Sequence, residues 1–189
     1  MRHFAVRGYL QTRVEDVAVD SGIAKGTVFL DFGSKEGLFL AVHQRAISML
    51  PAWLDAPAEV VGQGFWATLD WWLQRTEELV ASDPIPNRIS LIGRYDTGLE
   101  MRRSIARFMH SEDPFGTLEF VEFGVDRGEV RDDVDIEMLA ATIDWLAERF
   151  QDALVSDQLD PGLIHRHPER RGMRIKEFVE VLRDGIAVE

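Results

Sequence analysis

The chain has 189 residues, 46% apolar and 29% charged, with no cysteine. That much apolar material can bury a core, which excludes wholesale disorder, and the missing thiols exclude disulfides and thiolate metal sites. A net charge of −12 argues against non-specific attraction to nucleic acid.

The charge is unevenly placed. Residues 1–45 hold six Lys/Arg and five acids, a net of +1, leaving −13 for residues 46–189. A near-neutral head on an acidic body suggests two different jobs. The longest stretch free of Asp, Glu, Lys, Arg and His is the ten residues Val60–Leu69, while a membrane-spanning helix needs about 20. No apolar signal core opens the chain. These features predict a soluble, cytoplasmic protein with no membrane partner.

Gly8-Tyr9 reads as a helix end followed by a turn. Thr12-Arg13-Val14-Glu15 has the form of a capping box, in which the Thr hydroxyl accepts the Glu15 N–H and the carboxylate reaches back. Val14, Val17 and Ala18 then share one face of a short helix. Ser21-Gly22 stops it, with Gly22 free to take a positive φ, and Ile23 is an apolar plug for the turn. A second short helix is predicted at about 24–29, with Val28 inward. Gly33 ends the segment. Ser34 caps a longer helix with Leu38, Val42 and Met49 along one side, closed by Pro51. Two short helices joined by a Gly-containing turn have a helix-turn-helix shape. In that motif the start of the second helix faces base edges in the major groove, which here places Lys25, Gly26 and Thr27 at the DNA. A bundle corner without a DNA role has the same spacing.

In the body, residues 60–80 read as a helix with Trp66, Leu69, Trp72, Leu73 and Leu79 at helical spacing. Pro84 and Pro86 break the chain before a short helix at 86–95, with Ile89 and Ile92 inward. From about residue 100 a stripe of Met101, Ile105, Phe108 and Met109 follows. Pro114 kinks or interrupts it, and Leu118, Val121 and Val125 continue the pattern to Gly128. Asp132, Asp133, Asp135 and Glu137 briefly resemble a calcium loop, but counted from Asp133 the sixth position, where a Gly is needed, is Met138, and the run reads as acids at a helix N-terminus. The helix at about 135–156 carries two apolar stripes, one running from Ile136 through Ile143 to Leu154, the other Met138, Ala141 and Trp145. Two faces imply two packing partners. A last helix is predicted at about 173–187, with Val181 on a side of its own. His165 and His167 read as a solvated loop with no third metal ligand. No strand-like alternation of useful length occurs, so the expected fold class is all-α.

The run Phe4-Ala5-x-Arg7-Gly8-Tyr9, Thr12-x-x-x-Asp16-Val17-Ala18, Ser21-Gly22-Ile23-Ala24-Lys25-Gly26-Thr27-Val28-Phe29 and Phe32-Gly33-Ser34-Lys35-Glu36-Gly37-Leu38 resembles the tetracycline-repressor (TetR) family. The resemblance spans about residues 4–42; beyond it only the architecture matches. It implies a helix-turn-helix DNA-binding domain at 1–47 and a larger helical-bundle ligand-binding and dimerisation domain at 48–189. It also implies DNA contacts, with Thr12 and Lys35 at the backbone, Lys25, Gly26 and Thr27 in the major groove, and Phe29 where the family usually has a phosphate-contacting Tyr. The last two long helices would pair in a homodimer, as a palindromic site requires.

Several positions depart from the family pattern. Ala24 stands where a capping Ser is usual, Phe29 lacks the Tyr hydroxyl, and Asp31 replaces a frequent His. Only Met1-Arg2-His3 precede Phe4, so the first helix is expected to be truncated, either because the natural start lies upstream, the favoured explanation, or because this chain is a shortened form.

Apolar cavities between bundle helices are common ligand sites. Of the many aromatics in the body, Trp66, Trp72, Phe108 and Phe120 are the candidates to line one for a bulky, mostly apolar effector. No Gly-rich phosphate loop, G-x-S-x-G or H-E-x-x-H is present, and nothing calls for a cofactor or a metal. The expected function is therefore a ligand-responsive transcriptional regulator and not an enzyme, a repressor partnered by an operator in double-stranded DNA and a small-molecule effector. The alternative is a binding protein of the same fold that has lost DNA binding.

Overall fold

The computed structural model describes residues 1–160 and 167–186, and among these it is helical with no β-strand. In chain order the α-helices are α1 (Arg2–Gln11), α2 (Val14–Asp20), α3 (Lys25–Phe32), α4 (Lys35–Ile47), α5 (Ala58–Val61), α6 (Phe65–Ser82), α7 (Ile85–Tyr95), α8 (Leu99–Glu112), α9 (Thr117–Asp126), α10 (Ile136–Val155) and α11 (Arg171–Ile186). His165 and the expected end of the last helix at Ala187 lie outside the described residues, and His167 is exposed. The chain divides into two compact units, residues 1–50 with 83–112, and residues 51–82 with 113–189.

The first unit builds its core around an aromatic trio. Phe39 of α4 meets Phe4 edge-on at 5.0 Å and Tyr9 at 5.1 Å. Val14, Ala18, Val28 and Leu38 join them from α2, α3 and α4. Ile89 of α7 and Met101 and Ile105 of α8 complete the same cluster. Two helices that follow residue 47 thus bury their apolar faces with the head, because three short helices and α4 alone leave that core open. Gly8 kinks α1 with φ 77° and ψ 174°. A Cβ there would lie 2.5 Å from the Asp96 carboxylate, which accepts the Tyr9 N–H at 2.7 Å. Asp96 thereby caps the second half of α1. His43 is buried at the contact of α4 and α7; burial, reinforced by the charge of Arg94, pushes its pKa down to about 4. Its ring fits only because Gly93 lacks a side chain, a Cβ there lying 2.9 Å from the imidazole.

The second unit is also organised by aromatic stacking. Phe120 lies parallel to Phe65 at 4.3 Å and to Trp53 at 5.0 Å, and Trp53 meets Trp72 at 4.1 Å. The Trp53 indole donates to the Thr117 hydroxyl at 2.9 Å, which donates onward to Asp144 at 2.6 Å. Asp135 caps α10 by accepting the Met138 N–H at 3.0 Å, the role expected of that acidic run.

Several boundaries differ from the sequence reading. The helix predicted over 60–80 is broken. Gly64 takes φ 112° and separates α5 from α6, and the Glu129 carboxylate accepts the Phe65 N–H at 2.7 Å, starting α6 anew. Pro114 falls in the complete interruption between α8 and α9. Helix α4 stops at Ile47, leaving Met49 exposed beyond it.

Candidate nucleic-acid interface

Helix α2 ends in a Schellman turn. Gly22, at φ 69°, donates to the Val19 carbonyl at 3.1 Å, and the Ile23 N–H reaches the Ala18 carbonyl at 3.1 Å. This pairing satisfies the last carbonyls of α2 and fixes where α3 begins. Ile23, expected to plug the turn, is instead exposed, because the backbone closes the turn without it. Ala24 holds the extended N-cap geometry, φ −71° and ψ 142°, but offers no side-chain acceptor. The free N–H groups of the first turn of α3 therefore point outward without a cap.

Val28 is the one buried residue of α3. Lys25, Gly26, Thr27 and Phe29 are all exposed, so the structure brings these four candidates together on one open surface. Lys25 forms an ion pair with Glu15 of α2, holding that carboxyl below its usual range. Its ammonium also sits 5.5 Å from the centre of the Phe29 ring. The pair is exposed and therefore weak, so a phosphate can displace Glu15 readily. Nothing lies within 4 Å of a Cβ placed on Gly26, which leaves the helix surface bare there.

Gly33 ends α3 with φ 72°, and the Ser34 hydroxyl caps α4 by accepting the Gly37 N–H at 3.1 Å. Lys35, the first residue of α4, lies over the Tyr9 ring at 4.7 Å and donates to the Leu10 carbonyl at 3.2 Å. Those neighbours aim its ammonium without neutralising it. Tyr9 donates to Glu36 at 2.9 Å, and burial with that bond raises its pKa to about 12.

Thr12 stands apart from the other candidates. It is buried, and its hydroxyl donates to the Gly8 carbonyl at 2.7 Å. The capping box expected with Glu15 does not form; the N-cap of α2 is Arg13. The kink at Gly8 supplies the acceptor that draws the hydroxyl inward, so its proton is not available to a phosphate. Arg13 is exposed at this end of α2, a position the sequence reading passed over although an Arg next to the predicted cap was the available signal.

The effector candidates do not assemble. Trp72 and Phe120 are fully buried in the aromatic stack, the Trp72 indole donating to the Pro51 carbonyl at 2.9 Å. Trp66 lines a separate open depression of about 660 Å³ with a mixed polar and apolar wall, Arg183 lying 5.4 Å from its ring. Phe108 belongs to α8 in the first unit. The sequence showed which residues are apolar but not that stacking would consume two of them. A cavity of about 340 Å³ instead lies among α6, α10 and α11, lined by Phe150, Leu154, Ile175 and Phe178, with the Arg171–Glu77 ion pair at 3.1 Å on its wall. Among the described residues no group of three or more His, Cys, Asp or Glu could hold a metal ion. No helix there is long and apolar enough to cross a membrane.

Residues 1–42 match the family model for bacterial regulatory proteins of the tetR family. The head is a TetR-family head. Solved structures similar over nearly all of the chain agree with it in fold. One, described as a tetR family transcription regulator from Shewanella sp. PV-4, has a TM-score of 0.66 at 20% identity, covering 100% of this chain and 94% of that one. A TetR family transcriptional regulator from Chloroflexus aurantiacus J-10-FL has a TM-score of 0.65 at 20% identity, covering 99% and 89%. A TetR-family transcriptional regulator from Pectobacterium atrosepticum has a TM-score of 0.60 at 19% identity, covering 100% and 90%. No curated protein matched the chain. Within the matched segment α2 and α3, joined by the Schellman turn, have the form of a helix-turn-helix.

Proposed function

We propose that this chain is a ligand-responsive transcriptional regulator, a cytoplasmic homodimer that represses from a palindromic operator and is released by a bulky, mostly apolar small molecule. The observation that carries this reading is the open first turn of α3, where Lys25, Gly26 and Thr27 stand exposed on a helix fixed by the Schellman turn. Lys25 and Lys35 bind phosphate, Phe29 packs against the sugar-phosphate backbone, and Gly26 allows close approach. Phosphate contacts position the head and groove contacts specify the sequence. Thr12 serves DNA binding only by holding α1 and α2 in place.

The cavity among α6, α10 and α11 is the seat we assign to the effector. Its volume lies at the lower end of ligand pockets, and its largely apolar wall carries Arg149, Asp160, Arg174 and Glu177 besides the ion pair. An effector that binds better to the non-DNA conformation shifts the population away from DNA, and by linkage DNA weakens effector binding equally. The test is footprinting of the full chain on DNA from its own upstream region. Two protected half-sites related by a dyad are expected. A folded chain that protects nothing there or in a genomic fragment pool would overturn the regulator reading and leave the binding-protein alternative.

A further inference from the structure

Helix α3 turns by about 100° per residue. With Val28 taken as the inward direction, Gly26 and Leu30 fall at roughly 160° and 200°, either side of the outermost line. Lys25 and Phe29 lie on one flank and Thr27 on the other, which agrees with the contact of the Lys25 ammonium and the Phe29 ring. Gly26 has no side chain, so the residue projecting furthest from the head is Leu30. Its exposure of 84% is the highest among the large apolar residues of the described chain.

We infer that Leu30 is a base-reading residue, and that it reads the 5-methyl group of thymine. The inference rests on the DNA-binding reading above and names a specificity determinant within it. A recognition helix enters the major groove by its N-terminal turn; Leu30, one turn further along on the outermost line, is the next side chain that can reach a base edge there. Leu30 has no donor or acceptor, so it cannot take part in the hydrogen-bond code. What an apolar side chain can distinguish there is the thymine methyl, present on one base of four. Lys25 and Thr27, set to the sides, are placed for phosphate or for flanking bases. The bare surface at Gly26 lets the helix sit deep enough for a side chain one turn later to touch a methyl.

The test starts from duplexes with a random core, selected by the full chain at low salt. Thymine is expected at one or more fixed positions of each half-site. Replacing it at one such position by deoxyuridine removes a single methyl and should weaken binding about fourfold, the effect of losing one buried carbon's worth of apolar contact. In Leu30→Ala that penalty should vanish, with circular dichroism and sedimentation unchanged because the residue touches little in the free head. Leu30→Gln, which supplies a donor and an acceptor, should move the preference at the same position toward adenine. An equal deoxyuridine penalty in wild type and Leu30→Ala would overturn the assignment, as would wild-type binding indifferent to every such replacement. If no sequence is enriched at all, the DNA-binding reading falls first and Leu30 with it.

Discussion

Asp144 accepts the Thr117 hydroxyl at 2.6 Å, and burial pushes its pKa up to about 6 from 3.8. A folded-state pKa above the unfolded one means the native state holds the proton more tightly. The associated stability is complete below pH 3.8 and is lost as pH rises through about 6. His43 works in the opposite sense. With its pKa lowered to about 4 from 6.5, it withdraws stability as pH falls through that window. Asp144→Asn keeps an acceptor for Thr117 and removes the buried charge. Denaturant titrations should show it more stable than wild type by on the order of 1–2 kcal/mol at pH 7, allowing for partial screening, and equal near pH 4. A difference that does not change with pH would contradict this. None of this was legible in the sequence, because Asp144 and His43 differ from solvated neighbours only by what packs over them. That Lys25, Gly26, Thr27, Phe29 and Lys35 would stand at the surface was legible, because the turns that present them are local. The burial of Thr12 was not legible, because it depends on one tertiary fact, the kink at Gly8.

At the scale of elements, α3 carries two local defects with separable consequences. Ala24 already has N-cap geometry without an acceptor. Ala24→Ser should therefore stabilise the chain by about 0.5–1 kcal/mol, read as a raised thermal midpoint. Gly26 is helical with open space around it, so Gly26→Ala should also stabilise, by up to about 1 kcal/mol. Its effect on DNA should have the opposite sign, with weaker binding because a methyl now stands on the bare surface. Higher stability together with unchanged DNA affinity would show that the backbone does not approach DNA at Gly26. Boundaries set by a local turn or cap residue fell where that residue put them, as at Gly22 after α2, Gly33 after α3 and Asp135 before α10, whereas the cap expected for α2 at Thr12 did not form. The split between α5 and α6 did not, because the acceptor that restarts α6 is Glu129, distant in sequence. The placement of α7 and α8 with the head depended on which core had room, which periodicity does not state.

At the scale of the whole molecule, α10 exposes Met138 and Trp145, and α11 exposes Val181. This is the second apolar stripe foreseen for α10, and in the proposed homodimer a second copy covers it. The double variant Trp145→Asp with Val181→Asp should sediment as a monomer at concentrations where wild type is a dimer, and should lose affinity for a palindromic duplex. A wild-type chain that sediments as a monomer throughout would remove the dimer from the account.

The central claim is that the open end of α3 and the start of α4 hold DNA through phosphate charge. The direct measurement is fluorescence anisotropy on the protected duplex across a salt series, for wild type and for Lys25→Ala with Lys35→Ala. Each phosphate contact contributes about 0.9 to the slope of log affinity against log salt, so removing four cations per dimer should flatten it by about 3–4. Tight, salt-steep binding by wild type and weak, flatter binding by the double variant is the predicted result. An unchanged slope in the double variant would contradict the account and place the DNA contacts elsewhere.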